Sequence, residues 1–538
     1  WYGRDVAVPG ISKSDGVYDW DNMLPFYSSA EGNYTQTQAD AVAKLMLHCG
    51  KAVEMDYGEE SGAIVTPGRL AKYFGYDSDL MLDLSRTCFT LAEWTAIIDK
   101  ELQAKRPILY SGRTTNGGHQ FVCDGSDGNG LYHINWGWGG YQDGYFDITI
   151  LNPGQGGIGA GNVTDGYNRN CDMIIGIQPD NGKVDEPLVD VPAIRIEHFS
   201  NNNLTTGIEL TNATRTNINE NFTITINEWW ANPYPTKINC TVGYGISNGK
   251  GGYELISETK NIEIDGIKDN GQYSLRYSTL KINNRFSPNG TYTIYAIYST
   301  DNGKTWKKCA YYYMQPYVVK STANTLSLVK TQLTAEITSK ETQYSGVEGT
   351  FKLSITNTGD DDFIGLINAY TSSTATCPDD AIAQPYMTIP AHSTVTREIG
   401  ITPTTVGDMY VWIEDGESGE MLLNAKKFNV EQTTEPSYTI VSVTTNATPG
   451  VYETEKAYIN TDKVKVPRVD DEKAEFTFGI RNNGGTGVLK YIFWVWNLEN
   501  DSYKLVNTVY KKKIPGNGEI TYLPISFTPE FAGGNTIY

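Results

Sequence analysis

The chain has 538 residues, of which 43 are basic and 63 acidic, giving a formal net charge of −20 at pH 7. That charge disfavours nucleic acid and anionic membranes as partners and favours solubility. The length predicts several domains, each with enough material for a buried core. No stretch approaches the roughly 18 consecutive apolar residues of a membrane span, so we expect no transmembrane segment.

The chain contains seven cysteines and five histidines. The cysteine number is odd, the spacing is wide and no CxxC pair occurs, which disfavours both a disulfide framework and a zinc site. The sequence has no HExxH, GxSxG or GxxxxGK[ST] motif, so zinc-peptidase, serine-hydrolase and P-loop chemistry are also disfavoured.

Three helices are predicted near the start of the chain. Apolar residues at helical spacing cover 34–49 with Thr35 as a candidate N-cap, and further helices are predicted at 67–74 and 91–104. Thr90 followed by Glu93 is typical of a capping box on the third helix. From Pro107 to Pro179 the period changes to two, which predicts strands and an α+β layout.

A β-hairpin is predicted from Gly117–Gly125 and Leu131–Gly140, around the turn residues 126–130. A two-residue turn at Asp127-Gly128 would place His119 opposite Trp136. Neighbouring registers give a partner between Asn135 and Trp138. An imidazole, a carboxamide and an indole thus meet at one end of the hairpin.

This combination has a chemical use. A histidine titrates near neutral pH and can take a proton from a nucleophile and return it to a leaving group. A carboxamide can fix its tautomer, an indole can exclude water, and the glycines before His119 leave room for a substrate backbone. The alternative is a packed aromatic hairpin with one structural histidine.

The hairpin also resembles the streptopain family, papain-like cysteine endopeptidases secreted by bacteria, including the interpain- and periodontain-type enzymes of Bacteroidetes. The similar segments cover about the first 180 residues in order: Tyr18–Pro25, Val53–Gly58, Ser61–Ala63, Phe74–Tyr76, Arg106–Gly112, Gly117–Gly125, His133–Gly140, Asp143–Phe146, Leu151–Pro153 and Ile174–Pro179. The resemblance implies a papain-like α+β domain over residues 1–180.

The resemblance implies roles for six residues. His119 is expected to be the general base and ion-pair partner of a thiolate, with Asn135 and Trp136 as orienting and shielding groups. Trp138 is expected to wall the cleft, and Gly118 and Ser61 to offer backbone contacts to substrate. The alternative for these last three is ordinary packing or a turn.

The family's nucleophilic cysteine lies on a helix N-terminus upstream of the Tyr18 segment, and no cysteine precedes Tyr18 here. We therefore expect the nucleophile to lie before residue 1. Cys49 is a poor substitute because it ends a predicted helix, where the helix dipole opposes a thiolate. Cys123 is roughly 13 Å along the strand from His119, and His133 is expected to be a packed strand histidine.

The rest of the chain is predicted to be all-β. Residues 181–187 are polar and predicted to be a linker. Similar strands ending in Asn recur at 222–227, 351–357 and 476–482, and Ser/Thr-Pro pairs follow each. This repeat predicts three tandem Ig-like sandwiches at 188–320, 322–432 and 435–538, the last incomplete at its C-terminus.

The resemblance therefore implies a secreted or cell-surface bacterial cysteine endopeptidase that acts on proteins or peptides, is made as a zymogen and needs no metal ion or organic cofactor. The alternative is an inactive surface or adhesive protein on a degenerate peptidase scaffold. The aromatic residues Tyr311–Tyr313 and Trp229-Trp230 are candidates for binding glycans or surface proteins, against the alternative of ordinary strand packing.

Overall fold

The computed structural model describes residues 18–25, 27, 32–58, 61–140, 142–153, 166–183, 191–198, 204–234, 236–267, 273–445, 474–497 and 502–527. Much of the predicted linker at 181–187 lies outside these ranges. So do the two ends of the chain, 1–17 and 528–538.

Three α-helices form in the N-terminal domain: α1 (Gln36–Ala52), α2 (Pro67–Phe74) and α3 (Leu91–Gln103). Capping boxes at Thr35 and Thr90 start α1 and α3, so both predicted caps are confirmed. The α2 helix begins at a proline and ends at Gly75, whose φ of 72° is a left-handed C-cap conformation. The three predicted helices are thus present, because their end signals are local in sequence.

The helices accompany an antiparallel six-stranded sheet with the strand order β1-β6-β2-β3-β4-β5. Its strands are β1 (Leu82–Ser85), β2 (Ile108–Arg113), β3 (Gly118–Ser126), β4 (Leu131–Asn135), β5 (Gly144–Asp147) and β6 (Arg169–Ile175). Helix α3 packs on this sheet through Trp94 and Ile98, which are fully buried. The N-terminal domain is therefore an α+β unit, as predicted.

The predicted hairpin is formed by β3 and β4, but its register differs from the one expected of a two-residue turn. The Asp127 amide donates to the Leu131 carbonyl, and the Asp127 carboxylate accepts from the Leu131 amide, so the loop is longer. A bulge between Cys123 and Gly125 shifts the pairing further, and Val122 lies opposite Asn135. The Trp136 partner predicted for His119 is therefore wrong as a strand pair, since β4 ends at Asn135.

The first β-domain comprises two sheets that share one hydrophobic core. Its strands are β7 (Arg195–Glu197), β8 (Gly207–Asn212), β9 (Phe222–Asn232), β10 (Ile238–Ser247), β11 (Tyr253–Leu255), β12 (Lys260–Ile264), β13 (Ser274–Asn284), β14 (Thr291–Ser299), β15 (Lys307–Lys308), β16 (Ala310–Tyr312), β17 (Tyr317–Ser321) and β18 (Leu326–Val329). Because β18 pairs with β17, this domain extends beyond the predicted boundary at residue 320.

The second and third β-domains are also built from pairs of sheets. The second contains β19 (Leu333–Thr338), β20 (Gln343–Tyr344), β21 (Gly349–Asn357), β22 (Phe363–Ser372), β23 (Tyr386–Ile389), β24 (Thr394–Ile401), β25 (Gly407–Asp415) and β26 (Glu420–Glu431). The third contains β27 (Tyr438–Thr445), β28 (Ala474–Asn482), β29 (Gly487–Asn497), β30 (Ser502–Ile514) and β31 (Ile520–Phe527).

A buried asparagine ends the equivalent strand of each β-domain. The amide groups of Asn232, Asn357 and Asn482 each donate to two backbone carbonyls, and all three side chains are buried. The sequence repeat is thus a structural one, in which one carboxamide satisfies two carbonyls at a strand end. In the first domain the equivalent residue is Asn232 rather than Asn227, because β9 is longer than its counterparts.

Of the five aromatic residues proposed as a binding face, two are internal and a third stacks on an arginine. Trp230 and Tyr311 are buried in the core of the first β-domain. Tyr312 stacks on the guanidinium of Arg195 at 4.1 Å, and the Tyr313 amide donates to Thr87 of the N-terminal domain. These contacts favour the packing interpretation of this cluster.

Candidate active site

His119 is the second residue of β3 and pairs with Gly112 of β2. Alternation along the strand puts it on the same face as Phe121 and Cys123, which are buried. His119 lies nearer the end of the strand and is only partly buried. The sheet therefore fixes the backbone of His119 and leaves part of its imidazole ring accessible.

The ring of His119 has a defined tautomer. Its Nε2 lies 2.8 Å from the backbone carbonyl oxygen of Trp136. A carbonyl oxygen only accepts, so Nε2 must carry the hydrogen and donate it. In the neutral ring, Nδ1 is then an unprotonated nitrogen with a lone pair.

The peptide that presents this carbonyl is itself held on both sides. The Trp136 amide donates to the Asp143 carboxylate at 2.8 Å, and the Gly137 amide donates to the Asn135 side-chain oxygen at 2.9 Å. Gly137 has a φ of +74°, a left-handed conformation that glycine adopts without strain. Asn135 thus orients the imidazole indirectly, through the peptide between residues 136 and 137.

Aromatic rings surround the imidazole. The Trp138 ring stacks on His119 with centroids 5.0 Å apart and planes 22° apart, and Trp136 is fully buried behind it. Tyr167 contacts the same imidazole at 5.7 Å and is also fully buried. The structure brings together Trp136, predicted as an orienting or shielding group, and Trp138, predicted as a wall of the cleft. Tyr167 and Asp143 were not among the predicted site residues.

Two opposing effects set the basicity of His119. Partial burial lowers the pKa of His119 below its usual value, and the hydrogen bond to the Trp136 carbonyl raises it. Burial is the larger effect, so it favours the neutral imidazole, which can accept a proton at Nδ1.

Comparison with known proteins matches the N-terminal sequence to a family. The sequence profile of the Peptidase C10 family matches residues 6–146. Streptopain of Streptococcus pyogenes is 41% identical over 165 residues, which are 30% of this chain and 40% of streptopain. The thiol protease/hemagglutinin PrtT of Porphyromonas gingivalis is 32% identical over 188 residues, covering 31% of this chain and 21% of PrtT.

These matches place the N-terminal domain in the streptopain family. The chain spans less than half of the length of the curated relatives it matches. Among solved structures, a red sea bream transglutaminase is 7% identical with a TM-score of 0.15, covering 43% of this chain and 32% of that chain, which is too low to support any inference.

The cysteines of the chain contrast with the thiolate that a peptidase of the streptopain family needs. All seven are free thiols. Burial raises the pKa of Cys88, Cys123 and Cys171 to about 12 each. The pKa values of the other four are also raised, chiefly by desolvation: Cys49, Cys240, Cys309 and Cys377. None of the seven thiols is therefore primed as a nucleophile.

The two other predicted contact residues of the streptopain-type domain lie on separate segments. Gly118 pairs with Arg113 in the sheet, directly before His119. Ser61 lies in an exposed turn, where its hydroxyl donates to the Gly58 carbonyl and a bridge joins Asp56 to Gly62. The structure thus places Gly118 beside the imidazole, while the hydrogen bonds of the Ser61 hydroxyl stay within its own turn.

The described residues contain no cluster of three or more His, Cys, Asp or Glu side chains able to hold a metal ion. His133 is engaged by Asp124 at 2.6 Å and does not join the site of the streptopain-type domain. Within the described ranges, no helix has the length and apolar character to cross a bilayer.

Proposed function

We propose that this chain is part of a cysteine endopeptidase in which His119 shares a proton with a thiol supplied by sequence preceding residue 1. The observation that carries the proposal is the bond from Nε2 to the Trp136 carbonyl, which leaves Nδ1 free to accept that proton. Membership of the N-terminal domain in the streptopain family supports the same pairing.

The chemistry follows from this tautomer. Nδ1 takes the thiol proton, and the thiolate attacks a peptide carbonyl carbon to form a tetrahedral intermediate. The imidazolium then protonates the leaving nitrogen as the C–N bond breaks, which leaves a thioester and a neutral imidazole. Water attacks the thioester while His119 accepts one of its protons, and the thiol is released with the second peptide fragment.

The neighbours of His119 support this cycle. Each cycle charges and discharges the imidazole, so its orientation must stay fixed between the two states. The Trp136 carbonyl accepts from Nε2 in both states, and stacked Trp138 keeps water from that bond. We assign Asn135 and Asp143 to positioning this carbonyl, and Gly118 to the substrate side of the cleft.

The remaining parts of the proposal follow the family resemblance. We propose a papain-like fold for the N-terminal domain, Ig-like folds for the three β-domains, and export from a bacterial cell as a zymogen. The substrates are proteins or peptides, cut without a metal or organic cofactor. Ser61, which is exposed, is proposed to offer its backbone to substrate.

Proteolysis of casein by the product of the complete reading frame tests this function. We expect a thiol alkylator to abolish cleavage, and His119→Ala to lower kcat/KM by about a thousandfold, since the general base is lost. His133→Ala is the matched control and should stay within about twofold of wild type. Cleavage that survives alkylation would rule out the thiol mechanism.

A second candidate is a non-enzymatic surface protein on a degenerate peptidase scaffold. The raised pKa values of all seven cysteine thiols favour this candidate, because none of these thiols is activated as a nucleophile. The codons upstream of residue 1 discriminate between the two candidates. A cysteine at a helix start supports the peptidase, and serine or alanine there supports the binding protein.

A further inference from the structure

The second β-domain reaches the segment that carries Tyr167. Asn168 donates from its side chain to the Tyr386 carbonyl at 3.1 Å, and the Arg169 guanidinium donates to the Gln384 carbonyl at 2.9 Å. Tyr386 begins β23, so both acceptors belong to one edge of the second β-domain. The residues next to Tyr167 are thus fastened to a domain more than 200 positions away along the chain.

Two further contacts join the same pair of domains. The Arg397 guanidinium donates to the Thr149 hydroxyl at 3.3 Å, and the Thr149 carbonyl accepts from Asn168 at 2.9 Å. Between the same two domains, the Leu91 amide at the start of α3 donates to the Asp362 carboxylate at 2.6 Å. A carboxylate at a helix N-terminus satisfies an unpaired amide and complements the helix dipole.

Tyr167 passes the position of this segment to the catalytic histidine. Its ring contacts His119 at 5.7 Å and Trp136 at 5.3 Å. Its backbone is equally close to the sheet, because a Cβ at Gly112 would lie 2.0 Å from the Tyr167 carbonyl oxygen. Gly112 is the strand partner of His119. The segment that carries Tyr167 is therefore packed tightly against the strand pair that holds the imidazole.

We propose that the second β-domain is a positioning element of the peptidase site, which holds Tyr167 against His119 through Asn168, Arg169 and Arg397. The β-domains of this chain are then not only substrate- or surface-binding appendages. This inference rests on the proposed function for its consequence in catalysis, but the packing it describes has a readout that needs no activity.

That readout is the titration of the His119 imidazole, followed by NMR in this chain with labelled histidine. The five histidines are separated by assigning His119 with a His119→Gln variant. Burial lowers the pKa of His119 in the native chain. In Asn168→Ala/Arg169→Ala, Tyr167 loosens and water enters, so we expect the pKa of His119 to rise toward its ordinary value.

The same variants are compared for activity in the product of the complete reading frame. We expect the double variant to lose about tenfold in kcat with KM within twofold, because orientation rather than binding is impaired. Arg397→Ala leaves the sequence of the N-terminal domain unchanged. It should also raise the pKa of His119 and lower kcat, the latter by about threefold. Arg169→Lys, made with Asn168 intact, keeps one hydrogen-bond donor and should avoid most of the loss in kcat seen in the double variant.

Lys513→Ala is the matched control, since Lys513 pairs with Glu341 between the third and second β-domains, away from the contacts with Asn168, Arg169 and Thr149. An unchanged His119 titration in both the double variant and Arg397→Ala overturns the inference. Absence of thiol-dependent proteolysis in the wild-type product would instead refute the proposed function, while the titration still decides the positioning role.

Discussion

Glu228 lies inside the first β-domain and makes its stability depend on pH. The side chain is 1% exposed, and one carboxylate oxygen accepts from the Tyr317 hydroxyl at 2.6 Å. Within the described residues, the other oxygen and the buried Tyr244 hydroxyl have no hydrogen-bond partner. Desolvation raises the pKa of Glu228 to about 8, although the bond from Tyr317 lowers it.

The sign and size of this pH effect on stability follow from the linkage between proton binding and folding. The folded domain holds this proton more tightly than the unfolded chain, whose glutamate titrates at about 4.5. Stability is therefore full below pH 4.5 and falls as the pH rises toward 8. A difference of about 3.5 pKa units corresponds to a loss of up to about 5 kcal/mol across this window.

Glu228→Gln removes the titrating proton and keeps an oxygen that can accept from Tyr317. Calorimetry at pH 5 and pH 8.5 should show the first β-domain of the wild type losing about 10 °C or more in Tm between the two values. The Gln variant should lose much less, and exposed Glu254 in β11 supplies the control, Glu254→Gln. An equal loss of Tm in wild type and Glu228→Gln would show that Glu228 is not the cause of the pH dependence.

Three further predictions concern the site and the repeat. Asp143→Ala frees the Trp136 amide and should lower kcat about tenfold in the complete product, whereas Asp143→Asn keeps an acceptor oxygen and should recover most of the activity in the same kinetic assay. Gly112→Ala would place a Cβ against the Tyr167 carbonyl and should destabilise the N-terminal domain by on the order of 3 kcal/mol, measured by urea unfolding; an unchanged midpoint would contradict the contact. Asn357→Ala leaves two carbonyls unsatisfied and should destabilise the second β-domain by about 2 kcal/mol, while Asn227→Ala, on the same repeat pattern but not at a strand end, should cost less than 1 kcal/mol in the same measurement.

The parts of the fold that sequence predicted well depend on local signals. The capping boxes at Thr35 and Thr90 involve residues three positions apart, so the pattern itself contains the contact. The hairpin of β3 and β4 was also predicted, but its register was not. The Asp127 side chain bonds to backbone amides in the turn and a bulge follows, and neither feature has a distinct residue pattern.

The candidate site also combines residues with a local sequence signal and residues without one. His119, Trp136 and Trp138 were predicted together, because they lie on one hairpin. Tyr167 lies two residues before β6, and its place beside His119 depends on strand order in the sheet rather than on spacing. The role of Asn135 was expected to be direct, whereas the structure gives its carboxamide to the Gly137 amide and lets a backbone carbonyl meet the imidazole.

The contacts between domains had no sequence signal at all. Asn168 and Arg169 donate to main-chain carbonyls of the second β-domain, and any residue type offers such an acceptor. The buried asparagines were visible as a repeat, but the longer strand β9 hid the equivalence of Asn232 with Asn357.

If His119 shares a proton with a sulfur, the pH dependence of thiol alkylation must depend on His119. In the complete product, an iodoacetamide-reactive thiol paired with His119 should remain reactive at pH 6, well below the ordinary cysteine pKa of about 8.5. In His119→Ala the reactivity should move up to that ordinary range, whereas in His133→Ala it should not. If His119→Ala leaves the alkylation profile unchanged, His119 does not share a proton with the reactive thiol.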